Sequence, residues 1–235
     1  MKTETLKQLL QDKANKRAVV LVTDLDSGAE ELVYPYEKFC GSSVHELAVD
    51  VAQSDKSRTV ETEDGRRLFM HAFNPALRMV IVGAVHIAQP LSRMATLAGY
   101  DVTVIDPRTH FASEDRFPGL ALSHDWPDEA LEALTPDTRT AIVTLTHDPK
   151  MDDPALTTAL RSPAFYVGAL GSTRTHAKRV DRLKAQGFAD ADIARINGPI
   201  GLNIGAKSPA EIAVAILAQV TETLRREPAR ADIAA

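Results

Sequence analysis

From residue 78 onward the chain alternates short apolar runs with longer amphipathic stretches, and this alternation constrains the fold more than any other feature. Arg78–Val82, Asp101–Ile105, Thr140–Leu145 and Phe165–Ala169 read as buried strands, and Leu120–Leu122 as a weaker one. Between and after them, His86–Ala98, a segment near Asp128–Leu134, Asp153–Arg161, Ser172–Gln186 and Ser208–Arg226 read as helices. Strand–helix repeats of this length build βαβ units joined by right-handed crossovers. The expected fold is therefore α/β: a Rossmann-like, doubly wound, mostly parallel sheet with strand order 3-2-1-4-5.

Ahead of this region the rhythm differs. Residues 2–15 read as a helix with Leu6, Leu9 and Leu10 on one face, and Val44–Ala52 has helical spacing. Arg17–Leu25 and Glu30–Tyr36 flank Asp26-Ser27-Gly28, while Ser57–Thr62 and Arg66–Phe73 flank Glu63-Asp64-Gly65; both are hairpin signals. The expected organisation is a small α+β domain over residues 1–75 and a Rossmann-like domain over 76–226, with Asn74-Pro75 between them. A flexible tail is expected over 227–235.

Composition excludes several classes. With 27 basic and 32 acidic residues the formal charge is -5, which leaves no electrostatic footprint for nucleic acid or an anionic membrane. The longest apolar runs, Ala18–Val22, Val80–Val82 and Ile212–Ala218, fall well short of the roughly 20 residues of a spanning helix. The first residues are too polar for a signal peptide. A single cysteine, Cys40, excludes an internal disulfide and a cysteine-rich zinc site, and reads as a small buried hydrophobe. The expectation is a soluble, cytoplasmic protein with no metal site of its own.

In a doubly wound sheet, ligands bind beyond the carboxyl ends of the strands where the order reverses. Three groups of residues fall there. Gly83-Ala84-Val85-His86 ends the first strand, and Gly83, Val85 and Ala88 occupy the positions of a dinucleotide fingerprint whose middle glycine is replaced by Val85. Pro90 removes one amide near the helix start. Asp106, about 20 residues beyond Gly83, matches the acid that meets a ribose, and Arg108 beside it suits a phosphate. His147-Asp148 ends the fourth strand; His86 and His147 are candidate ligand contacts. Gly168, Gly171 and Ser172 end the fifth, where a helix opens with Arg174, His176, Lys178 and Arg179. Cations at a helix start oppose its dipole, and a bound anion explains them better than stability does. Ser208-Pro209-Ala210-Glu211 is a capping box with proline at the first helical position.

Taken together these segments resemble the xanthine dehydrogenase accessory protein (XdhC/CoxI) family. The resemblance rests on Gly83–His86, Asp106–Arg108, Thr146–Asp148, Tyr166–Arg174 and Gly198–Ile212, covers about residues 78–222, and is most specific over Ala164–Ile216. It implies a maturation factor or chaperone for a molybdenum hydroxylase of the xanthine or carbon monoxide dehydrogenase type. Such a factor binds molybdenum cofactor, as molybdopterin or a molybdopterin dinucleotide, and assists its sulfuration or insertion. The implied partners are the apo-hydroxylase, a sulfurtransferase or another assembly protein, and a second copy in a homodimer. The implied role is that of a cofactor-binding accessory protein rather than a catalyst. Two departures stand out. The family's first turn is Gly-x-Gly-His, with Val85 here, and its N-terminal Ser-Gly-Gly-Cys-x-Glu motif has no match, so no sulfur chemistry is carried to Cys40. An NAD(P)-dependent oxidoreductase and a non-catalytic nucleotide-binding scaffold are the alternatives.

Overall fold

The computed structural model describes residues 2–37 and 42–225; the expectations for Cys40 and for a tail over 227–235 lie outside the described residues. The chain divides into two compact units, Met1–Pro75 and Ala76–Ala235.

The first unit contains α1 (Thr3–Ala14), β1 (Val19–Asp24), β2 (Glu30–Val33), α2 (Ser43–Ser54), β3 (Arg58–Glu61) and β4 (Arg67–Phe73). Its strands form an antiparallel sheet in the order β2-β1-β4-β3. The β1–β2 turn closes because Asp24 Oδ1 accepts from the amides of Asp26 and Ser27, and Gly28 supplies a φ of +70°. Val20, Val22, Leu68 and Met70 face Ala48, Val51 and Ala52 of α2 in one cluster. In α1 the expected apolar face is only partly used: Leu9 is buried, whereas Leu6 and Leu10 are exposed. The other buried position is Asp12, which accepts from Gln8, Arg17 and the Tyr34 hydroxyl.

The second unit holds β5 (Leu77–Val82), α3 (Ala88–Leu97), β6 (Tyr100–Ile105), β7 (Ala121–Ser123), α4 (Pro127–Leu134), β8 (Thr140–Thr144), α5 (Pro149–Arg161), β9 (Tyr166–Ala169), α6 (Thr173–Ala185), α7 (Asp190–Ile193), β10 (Ile196–Asn197) and α8 (Pro209–Arg225). All six strands run parallel in the order β10-β9-β8-β5-β6-β7. This is the expected Rossmann order extended by one strand. Period-two alternation feeds two cores. Met79 and Ile81 of β5 join Leu91, Ala95, Ala213 and Ile216 of α3 and α8 on one face. Val80 and Val82 join Leu131, Leu156 and Leu183 of α4, α5 and α6 on the other. Coverage on both faces is what makes the strands apolar throughout.

Two elements differ from the sequence expectation. The helix α5 begins at Pro149 rather than Asp153, because Asp148 caps it and proline is tolerated at the first position. The helix α3 begins at Ala88, so His86 sits in the turn before it, and Pro90 falls within the first turn, where amides lack helical acceptors anyway. The short α7 and β10 carry too few residues for a periodic signal.

The loop after β10 is fastened to α8 through Gln219, whose Oε1 accepts from the Tyr166 hydroxyl (2.7 Å) and the Gly201 amide (2.8 Å). Tyr166 is 1% exposed. Replacing Gln219 with Leu strands two donors, and urea unfolding is expected to show a loss of about 1–3 kcal/mol.

Candidate functional site

Strand order reverses between β5 and β8: the chain leaves β5 toward β6 on one side, and β8 toward β9 on the other. The carboxyl ends of these four strands carry every candidate residue.

At the end of β5 the chain turns through Gly83 at φ +101°, with its amide bonded to the Ile105 carbonyl at 2.8 Å. A Cβ at this position would lie 2.4 Å from the Thr146 methyl, so glycine is required twice over. The Ala84 amide donates to Asp106 Oδ2 (2.9 Å), and the Ala84 carbonyl accepts from Arg116 Nη1 (2.8 Å). Val85 is half-buried and packs against the α3–α8 core, and His86 is exposed.

Asp106 is fully buried. Besides Ala84, it accepts from the Arg108 amide (3.0 Å), Arg108 Nε (2.9 Å) and Arg108 Nη2 (2.8 Å). Burial pushes its carboxyl up, but the hydrogen bonds from the Arg108 side chain and the two amides outweigh that and hold it below the usual carboxylate range. The paired Arg108 guanidinium is raised chiefly by Asp106, with a smaller contribution from Asp148 on the β8 side.

At the end of β8, His147 adopts φ +64° and is exposed, and the Asp148 carboxylate accepts from the Lys150 amide as the cap of α5. Thr146 Oγ1 donates to Asp152 Oδ1 at 2.6 Å. At the end of β9, Gly168 is buried in the strand, where a Cβ would meet Ile200 and Tyr166 within 2.7 Å. Gly171 leads into Ser172, which caps α6 by accepting from the Thr175 amide at 3.2 Å. Arg174, on the first turn, is exposed and makes no ion pair or hydrogen bond among the described residues.

Arg179 departs from its sequence-based grouping with the other cations of α6. It is 1% exposed, donates to the Leu170 carbonyl (2.9 Å), and lies 3.6 Å from the equally buried Asp152, with Nε and Nη1 unpartnered. Burial drives Arg179 down and Asp152 up; Thr146 and Arg179 only partly offset the shift at Asp152. Burial also lowers His176, with Arg179 adding to it, and its Nδ1 is likewise unpartnered. Sequence reasoning placed Thr146 at the strand end without giving it a role, and overlooked Asp152 and Arg116. The signal for Arg179 was present: it stands one turn before Leu183 on the face that starts at Ser172 and His176.

Among the described residues no group of three or more His, Cys, Asp or Glu is placed to hold a metal, and no helix is long and apolar enough to cross a membrane.

The pattern of the XdhC Rossmann domain matches residues 79–220. The chain belongs to the XdhC family. Its relatives include an uncharacterized protein, YqeB, of Escherichia coli K12, 32% identical over 68% of this chain and 29% of its own length. The molybdenum cofactor insertion chaperone PaoD of the same organism is 31% identical over 72% of this chain and 48% of its own length. A probable xanthine dehydrogenase subunit from Bacillus subtilis is 28% identical over 75% and 54% respectively. This XdhC-family chain thus spans about half or less of the curated relatives it matches. A crystal structure described as a xanthine dehydrogenase from Bacillus halodurans shares the fold, with a TM-score of 0.67 and 24% identity over 97% of this chain and 66% of that one.

The two buried carboxyls give opposite pH signatures. Asp106 is depressed in the folded protein, so its contribution is present above the unfolded pKa and lost as pH falls toward the folded one. Asp152 is raised, so its contribution is present at low pH and lost as pH rises past the ordinary carboxylate range. Urea unfolding of Asp106→Asn across pH 3 to 8 is therefore expected to lack part of the acid-side loss, and Asp152→Asn part of the loss on the neutral side.

Proposed function

We propose that this chain binds molybdenum cofactor and hands it to an apo molybdenum hydroxylase of the xanthine dehydrogenase type, assisting its insertion or sulfuration. The observation that carries this reading is Arg174, whose side chain has no ion pair or hydrogen bond among the described residues, beside the Ser172 cap at the β9 end of an XdhC-family Rossmann sheet. A relative named for molybdenum cofactor insertion supports it.

The donor set fits such a cargo. Open amides at the start of α6 and the Arg174 guanidinium suit a terminal phosphate. The exposed His86 and His147 offer ring nitrogens to pterin heteroatoms or to oxo groups on the metal. The residues gathered here are glycines, caps and cations rather than a nucleophile with its base, which favours a carrier over a catalyst. A nicotinamide-dependent oxidoreductase is less well served. Val85 stands where the fingerprint needs glycine, and both oxygens of Asp106 already accept from Ala84 and Arg108, leaving the ribose hydroxyls without their usual acid.

Arg174→Ala is expected to weaken cofactor binding at fixed salt by about 1.5–3 kcal/mol, the range for hydrogen bonds to charged groups. Melting should not change, because an exposed arginine contributes little to folding. Lys178, exposed on the same helix, is the control; Arg179 is unsuitable because its loss unbalances a buried pair. Equal affinity in wild type and Arg174→Ala places the phosphate elsewhere.

In cells lacking the protein, the client hydroxylase is expected at normal polypeptide level but without activity. Immunoblotting, activity staining and metal analysis of the purified hydroxylase check this. A fully active, metal-replete hydroxylase in the deletion strain removes the maturation reading.

A further inference from the structure

Arg179 and Asp152 are both 1% exposed, and neither is fully partnered. Arg179 Nη2 donates to the Leu170 carbonyl at 2.9 Å and lies 3.6 Å from Asp152 Oδ2, while its Nε and Nη1 donate to nothing. Asp152 Oδ1 accepts from Thr146 at 2.6 Å, and Oδ2 accepts no hydrogen bond. Stability does not account for this pair. Two buried charges with open donors and acceptors cost more in desolvation than apolar side chains of the same size.

The position of the pair suggests its use. Leu170 directly follows β9, and Ser172 caps α6 two residues later. At about 3.8 Å per residue, the guanidinium on the Leu170 carbonyl lies within about 10 Å of the open amides of Thr173 and Arg174. Arg174 meets an anion there from the water side, and Arg179 lies beneath from the protein side, where a field is screened least.

The two partners differ in how they titrate. A guanidinium keeps its proton throughout the ordinary range. Asp152 is a carboxyl that burial pushes up, with Thr146, Arg179 and His147 opposing the shift. Charged, it cancels Arg179; neutral, it leaves a bare cation under the start of α6. The other charges near the pair are accounted for. Asp153 on α5 is held by Arg182 of α6, with Nη2 to Oδ1 at 2.9 Å. His147 at the β8 end faces Asp152, and His176 on the first turn of α6 faces Arg179.

We propose that Arg179 is a second, buried cation of the anion site at the start of α6, and that Asp152 gates it: with Asp152 neutral the anion is held by two positive charges, and with Asp152 charged by one. The inference rests on the α6 anion site given under Proposed function, and not on the identity of the cargo.

The test follows sulfate, whose own charge is constant over the range, binding to the full chain at fixed ionic strength from pH 5 to pH 8. Amide NMR shifts of Thr173 and Arg174 report it. Wild type is expected to bind about tenfold more weakly at the upper end than at the lower, the scale of one charge at that distance. Asp152→Asn keeps an acceptor for Thr146 and loses the charge. It should bind at pH 8 as tightly as wild type does at pH 5, without the slope; a purely structural role gives no such tightening. Arg179→Gln should stay at the weak level at every pH, since its unpaired Asp152 takes up a proton instead. This second variant keeps the test open should the first fail to fold. His147→Gln and His176→Gln should both retain the slope.

A slope that persists in Asp152→Asn, or that disappears in either histidine variant, overturns the gate. So does a wild type that binds equally across the range, or no sulfate at α6. Capture of molybdopterin that is weakened by Arg174→Ala, yet equal in wild type and Asp152→Asn at every pH, overturns the gate while sparing the carrier reading. Sulfate binding with the expected variant effects, but no capture of molybdopterin, upholds the gate and removes the carrier reading.

Discussion

The turn out of β5 and the turn out of β8 are in van der Waals contact, with Gly83 against the Thr146 methyl, and the arrangement of the strand ends depends on that contact. A side chain at Gly83 would have to push Thr146 away, and Thr146 is not free to move. Its hydroxyl donates to Asp152 and accepts from the Asp148 amide. Asp152 in turn faces Arg179, which holds the Leu170 carbonyl at the end of β9. On the other side, Asp106 holds the Ala84 amide and Arg108. Neighbouring strand ends are thus connected by short polar links running through two buried carboxylates. The arrangement is costly in desolvation, as the opposed shifts of Asp152 and Arg179 indicate, and is weak evidence for stability in itself.

Most of the sheet could be read from the chain because burial on both faces leaves a direct signature. Met79 to Val82 are apolar at every position, and that pattern fits a central parallel strand better than a solvent-facing one. The places of the candidate residues at successive strand ends were legible, because topology alone gathers them there. What each side chain does there was not legible. Asp106 has the residue type and position of a ribose-binding acid, yet sequence does not reveal whether a carboxylate's oxygens are already filled from within. Asp148 looks like a ligand contact beside His147 and turns out to cap α5. Arg179 looks like one of several surface cations, although its spacing to Leu183 marks an inward face. In α1 the error runs the other way: three leucines share a helical face, and only Leu9 finds cover within the structure.

Family membership and physical reading contribute different things. The family assignment covers the Rossmann unit and brings with it relatives that are much longer than this chain, one of them named for cofactor insertion. It does not say which atoms hold anything. Val85 illustrates the division. Its isopropyl group packs on the α3–α8 core, so the substitution in the glycine fingerprint is absorbed by the protein's own packing, and the first turn is anchored through Ala84 instead.

The arginines around the strand ends differ in how far each is committed to the fold itself. Arg116 is committed to the Ala84 and Phe111 carbonyls, and Arg179 to the Leu170 carbonyl beside Asp152. Arg108 is pinned along one edge by Asp106, with the Phe111 ring on one face. Arg174 makes no ion pair or hydrogen bond among the described residues and stands where α6 presents its unpaired amides. A cation facing a charged carboxylate, as Arg108 does and as Arg179 does once Asp152 is ionised, adds little attraction for an incoming anion, since its partner cancels most of the field beyond a few ångströms. Arg174, with no such partner among the described residues, keeps its full charge at the β9 end of the row of strand ends.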